Sequence, residues 1–354
     1  MAQLKAYANS SKLPPPDPLD NDGYVTIRCK KLLDADIVPA LVACNKQTTS
    51  PSNVALITRI LLSLTKEQKH RTSLAQQGAV KLLLQIRDRV SKQDNRNAIE
   101  HDAGHALARL LISVNPAHVF SSSLPVSTAV SALITLLSPE SQENEERNLL
   151  PTFESLLALT NLASMDDPTA RDMVLRVAWI TLENTLLLSS NALIQRASVE
   201  LVCNLMASPA GVAKYADGSP AANQRLHILL ALADAEDHAT RCAAGGALAM
   251  LTEWDQAAKA VLEHQRGIRI LLDLCTDDAD DVKHRGLVCI LNLVSAPGDI
   301  GEKGLEKVVQ EDGVEEIKNG LRECRQPDVM AVGVEVLKAV MAKEGTKGKA
   351  ITQG

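Results

Sequence analysis

Apolar positions along the chain recur at helical spacing, and they recur in blocks. Seven long stretches close on an apolar-x-x-apolar pattern, at residues 61–64, 107–110, 159–162, 202–205, 248–251, 290–293 and 337–340. The third positions of these blocks, 63, 109, 161, 204, 250, 292 and 339, lie 46, 52, 43, 46, 42 and 47 residues apart. A period in the forties made of helical segments predicts an armadillo or HEAT array. The order inside each unit favours armadillo. A polar turn and a short helix follow the closing block, and then a glycine often opens a second helix, as in Gln77-Gly78-Ala79, Arg266-Gly267-Ile268 and Asp312-Gly313-Val314. Glycine there lets two short helices meet at a sharp angle without a Cβ clash. A longer third helix comes next, for example from Ala239 to Leu251, and Asp167-Pro168 reads as an N-cap followed by the first helical residue. The expected fold is all-α: a right-handed superhelical armadillo solenoid of about seven three-helix repeats, its third helices lining a concave face.

The flanks break the pattern. Leu13-Pro14-Pro15-Pro16-Asp17-Pro18 blocks helical hydrogen bonding, so residues 1–24 read as a proline-rich linker ahead of an array at 25–342. The charged, glycine-rich run Lys343-Glu344-Gly345-Thr346-Lys347-Gly348-Lys349 makes 343–354 a flexible tail.

Composition narrows the function classes. The 354 residues exceed the ~250–300 at which one core stops growing, which suits an elongated array. With 45% apolar residues but only 2 Trp, 3 Tyr and 2 Phe, the core is filled by Leu, Ala and Val, and an all-β fold is excluded. Lys and Arg total 37 against 43 Asp and Glu, a net charge of −6, so neither nucleic acid nor an anionic membrane is an expected partner. No window approaches the ~18 unbroken apolar residues of a membrane span, and no signal peptide heads the chain. The seven cysteines are odd in number, scattered and without a CxxC pair, as expected of reduced thiols packed as small hydrophobes in a cytoplasmic protein.

Candidate chemistry is sparse. His101 and His105 share the i, i+4 spacing of a zincin helix, but Asp102 stands where the glutamate base belongs and no third ligand is evident; His105 reads as interhelical packing. The cluster Asp277, Asp278, Asp280 and Asp281 lacks the mid-loop glycine and terminal glutamate of an EF-hand and falls where a second helix joins a third, so it reads as a capping loop. Gly345 to Ala350 lacks P-loop spacing, and Gly245-Gly246 sits inside a helical pattern with no strand before it. No enzyme, metal or cofactor is expected.

What recurs in register is asparagine. Asn161, Asn204 and Asn292 each precede the last leucine of a closing block. A row of carboxamides along a groove can pair with the main chain of an extended ligand regardless of its side chains; the alternative is that each ties down its own helix end. A nuclear-import adaptor would need tryptophan one turn earlier, where this chain has Leu157, Glu200 and Val288.

Five stretches carry a family likeness: Gly104 to Pro116 (GHALARLLISVNP), Phe153 to Ser164 (FESLLALTNLAS), Gln195 to Met206 (QRASVELVCNLM), Ala243 to Ala249 (AAGGALA) and His284 to Asn292 (HRGLVCILN). In this order they resemble the UCS-domain myosin chaperones, in the style of their fungal branch, from about residue 25 to 342. The resemblance implies an armadillo fold and a chaperone that binds the myosin motor domain, prevents its aggregation and supports actin-based function; a general armadillo adaptor for a folded cytoskeletal or transport partner is the alternative. It adds Arg109, Arg196 and Arg285 to the asparagines as client-binding candidates, their other reading being buried arginines at repeat junctions. No tetratricopeptide repeat precedes residue 25, so any link to Hsp90 is expected to be indirect. The proline-rich start is expected of the C-terminal portion of a longer family member.

Overall fold

The computed structural model describes residues 22–90, 97–137, 148–322 and 324–351. It is helical throughout that range apart from turns and one isolated bridge between Ser121 and Leu124. The chain divides into two compact units, Met1–Val114 and Asn115–Gly354.

Unit 1 holds α1 (Asp22–Asp34), α2 (Ile37–Gln47), α3 (Pro51–Leu64), α4 (Gln68–Gln76), α5 (Ala79–Val90) and α6 (Asn97–Ser113), two triplets in chain order. The third helix α6 packs on α3, α4 and α5. Unit 2 opens with a 3₁₀ turn (Pro116–His118), α7 (Val126–Ile134) and α8 (Leu150–Ala163). Four further triplets follow: α9 (Thr169–Val177), α10 (Trp179–Leu188) and α11 (Ala192–Leu205); α12 (Pro209–Ala216), α13 (Pro220–Ala233) and α14 (His238–Leu251); α15 (Asp255–Glu263), α16 (Gly267–Cys275) and α17 (Asp280–Ser295); α18 (Gly298–Gln310), α19 (Gly313–Arg322) and α20 (Pro327–Ile351). All seven closing blocks fall inside third helices, which is the armadillo order.

The helices start and stop where local chemistry directs. The Asn191 carboxamide accepts from the Leu193 and Ile194 amides at 2.9 and 3.2 Å, and Ser208 and Ser219 cap α12 and α13 just ahead of Pro209 and Pro220. Asp167 accepts from the Thr169 amide at 2.9 Å, although α9 begins at Thr169, one residue later than the sequence suggests. Gly78 takes φ +94, and Gly267 brings its backbone so close to the end of α15 that a Cβ would lie 2.1 Å from the Val261 carbonyl oxygen. Ahead of Gly313 the left-handed residue is instead Asp312, at φ 56.

In unit 2 the third helices stack in succession, α8 on α11, α11 on α14, α14 on α17 and α17 on α20. Leu156, Leu159, Leu201, Leu205, Leu248, Leu287 and Leu293 are fully buried along this stack. Truncating any one of them to alanine costs about 2–5 kcal/mol. The second helices are joined by ion pairs, Arg225 to Glu183 and Arg269 to Glu316.

The proline-rich stretch 13–18 lies outside the described residues, while helical backbone continues past Ala342 to Ile351. All seven cysteines are free thiols. Among the described residues no helix is long and apolar enough to cross a membrane.

Candidate functional site: the third-helix ladder

The sequence places three asparagines near the C-terminal ends of third helices, where the last four carbonyls of each helix lack an intrahelical partner. The structure uses two of them there. Asn204 Nδ2 donates to the Thr160 carbonyl of α8 at 3.0 Å, and Asn292 Nδ2 donates to the Ala249 carbonyl of α14 at 2.9 Å and to Thr252 Oγ1 at 3.1 Å. Each amide thus closes the helix of the preceding repeat. This differs from both sequence readings, since the donors serve neither a free groove nor their own helix end. All three asparagines are half-buried, so they remain part of the ladder surface.

The arginines separate. Arg109 is buried in α6 of unit 1. Arg196 Nε donates to Glu200 Oε1 at 3.0 Å along α11, a half-exposed i, i+4 pair. Arg285, on α17, is exposed and has no carboxylate within ion-pair distance among the described residues. Its stem lies across α14: a Cβ on Gly245 would meet Arg285 Cβ at 3.1 Å, and one on Gly246 would meet Arg285 Nε at 3.6 Å and Cys203 Sγ at 3.0 Å. The two glycines are the bed on which the side chain rests. Their sequence signal was present as a helical Gly-Gly, but its meaning depends on the register of the next repeat.

Polar groups gather beside Arg285. His238 Nε2 lies 2.9 Å from Asp281 Oδ1, and Cys242 Sγ donates to Asp281 Oδ2 at 3.4 Å. The His238 hydrogen bond holds the Asp281 carboxyl below its ordinary value. Burial pushes the Cys203 thiol up to about 11 and raises Cys242 as well, so both stay protonated near neutrality and neither is an activated nucleophile. Between the first turns of α17 and α20 runs a cleft of about 550 Å³ lined by Asp280, Asp281, His284, Arg285, Asp328 and Val329. At the other end of the ladder Leu150 and Leu193 are exposed, with Phe153 and Leu157 half-buried.

His105 is buried in α6, edge-on to the exposed His101 at 6.3 Å between ring centroids. Among the described residues no three His, Cys, Asp or Glu side chains are grouped to hold a metal ion. Asp277 accepts from Arg241 at 2.7 Å and from the Ala279 amide at 2.9 Å, a loop-closing role. Sequence reasoning missed a recurrent arginine at first and third helix starts. Arg71, Arg171 and Arg241 reach back to the carbonyls of Thr65, of Ala163 and Met165, and of Ala235 and Glu236, closing helices α3, α8 and α13.

No family model matches the chain. It is 38% identical over 269 residues to Ring assembly protein 3 of Schizosaccharomyces pombe, an alignment covering 75% of this chain and 35% of that protein. Protein unc-45 homolog B of Mus musculus is 30% identical over 317 residues, 88% of this chain and 32% of that one. The solved structure of UNC-45 from Drosophila melanogaster superposes with a TM-score of 0.76 at 27% identity, over 97% of this chain and 41% of that one. The chain belongs to the UCS-domain family. It spans about a third of the length of the curated relatives it matches, and in this UCS chain the five motif stretches lie on third helices of both units.

Proposed function

We propose that this UCS chain is a chaperone for the myosin motor domain, holding it through the third-helix ladder of unit 2 without chemistry of its own. Family membership supports the client class. A solved relative is described by its binding and folding of muscle myosin. The single observation that carries the mode of binding is Arg285, an exposed arginine whose stem rests over Gly245 and Gly246 and whose guanidinium has no carboxylate partner among the described residues. A planar cation held in this way is ready to donate to a client's carboxylate or main-chain carbonyls. Asn204 ties α11 to α8 and Asn292 ties α17 to α14, Asn161 sits at the same register on α8, and the Arg196–Glu200 pair borders the same ladder. Arg109 contributes through the packing of unit 1. Affinity near micromolar, about −8 kcal/mol, suits a client that must be released. The cytoplasm is the expected compartment.

The test is direct binding of a purified myosin head to Arg285→Ala. Loss of charge-assisted hydrogen bonds worth about 1.5–3 kcal/mol weakens binding about tenfold or more, with at most a small drop in melting temperature, because the guanidinium has no ion pair to lose and only the stem packing on α14 goes with it. Unchanged affinity would overturn this use of the ladder. The second reading, an adaptor for a folded partner, is separated by heat-induced aggregation of the myosin head: a chaperone suppresses it and an adaptor does not.

A further inference from the structure

Helix α10 is apolar on both faces. Its inward face buries Trp179, Leu182 and Leu186. Its outward face carries Ile180, Leu187 and Leu188, which are 72%, 44% and 68% exposed, and Val177 at the end of α9, 55% exposed, extends the stripe. Counted from Ile180, residues 184, 187 and 188 fall at i+4, i+7 and i+8, on one side of the helix, and the remaining member, Asn184, is uncharged. Glu183 is the one ionisable residue between Arg176 and Arg196, and it is paired with Arg225 of α13.

The second helices of later repeats are built differently. On α16 the outward surface holds Arg269 and Asp273, Arg269 pairing with both Asp273 and Glu316 of α19. On α19 it holds the pair Glu315 and Lys318. Charged residues normally flank apolar segments that would otherwise aggregate. Among the described second helices α2, α5, α10, α13, α16 and α19, α10 alone carries exposed large apolar side chains.

The four exposed side chains offer about 400 Å² of apolar surface, within the ~300–600 Å² typical of the largest, often functional, patch on a monomer. That is about half of the ~800 Å² per partner that a stable dimer covers, so this face does not hold a second copy of the chain by itself. With no charge along the stripe, the polar rim of a folded partner finds no complement either. A short apolar segment exposed on a non-native polypeptide needs neither the area nor the charge.

We infer that the Val177–Ile180–Leu187–Leu188 stripe is a binding surface for apolar segments of non-native polypeptides, distinct from the Arg285 side of the ladder. The inference rests on the chaperone reading and locates its anti-aggregation activity. It is tested on the full chain by Ile180→Ser/Leu188→Ser, with Leu188→Lys as a second variant that retains helix propensity. The probe is the insulin B chain released by reduction, which this disulfide-free chain tolerates; light scattering reports its aggregation. The wild-type chain in stoichiometric excess suppresses the scattering, and the variants lose at least fivefold of that suppression while their melting temperatures and their affinity for a folded myosin head stay within twofold of wild type. Equal suppression by variant and wild type, or suppression by neither, overturns the inference. Sedimentation showing a wild-type dimer that the variants convert to monomer also overturns it, by assigning the stripe to a second copy. If neither wild type nor variant binds the myosin head but the B-chain difference persists, the myosin reading fails and this surface stands.

Discussion

At the scale of single residues, the asparagines divide structure from binding. Asn292 directs both donor contacts of its amide at the end of α14, so Asn292→Ala removes two hydrogen bonds and leaves the Ala249 carbonyl only the bond it accepts from the Thr252 hydroxyl at 3.2 Å. The expected cost is about 1–3 kcal/mol. Asn204 makes one such contact, to Thr160, so Asn204→Ala is expected to be milder, and thermal melting of the two variants side by side checks the order. A larger loss from Asn204 would mean that the contact to α8 is not what the amide supplies. Neither variant is expected to match Arg285→Ala, which should weaken client binding with at most a small loss of stability. Of these roles the sequence displayed only the register. That the amides face the previous repeat depends on how consecutive third helices are offset, and no pattern within one helix encodes that offset.

At the scale of elements, the repeat period was legible because it is carried by large apolar side chains buried on every third helix; Leu162, Leu205, Leu251 and Leu293 are all fully buried at the same register. The glycine corners were legible as positions but not as mechanisms. Gly78 needs its positive φ and has open space around it, so Gly78→Ala meets only the left-handed penalty of about 1–2 kcal/mol. Gly267 has ordinary φ but no room, and Gly267→Ala would drive a methyl into a backbone carbonyl that cannot rotate away. Its cost is expected to exceed that of Gly78→Ala, at the upper end of the ~1–3 kcal/mol of an overpacked site or beyond. Chemical denaturation of both variants tests this ordering. The arginines that close α3, α8 and α13 escaped the sequence because guanidinium capping requires no fixed neighbour, only reach.

At the scale of the whole molecule, pH discriminates among the charged groups. Burial is the leading cause that depresses His70 in unit 1, where Nδ1 is buried without a hydrogen-bond partner. Burial likewise depresses His264 in unit 2, reinforced by His227 at 4.7 Å between ring centroids and by Arg266. A histidine held below its ordinary value binds fewer protons folded than unfolded. Its stabilising contribution is therefore complete above the unfolded value of about 6.5 and is lost as pH falls through the lower folded value. The carboxyls of Asp167, Asp217, Asp237, Asp281 and Glu315 are also held low, chiefly by side-chain hydrogen bonds, but their contribution is lost only further down, as pH falls past the ordinary carboxyl range. Melting temperature should thus fall in two stages on acidification, the first beginning as pH drops below about 6.5. His264→Gln removes one titrating partner from unit 2 and should flatten that first stage without moving the second. A variant that instead leaves the whole profile unchanged would show that the His227–His264 contact does not couple protonation to folding.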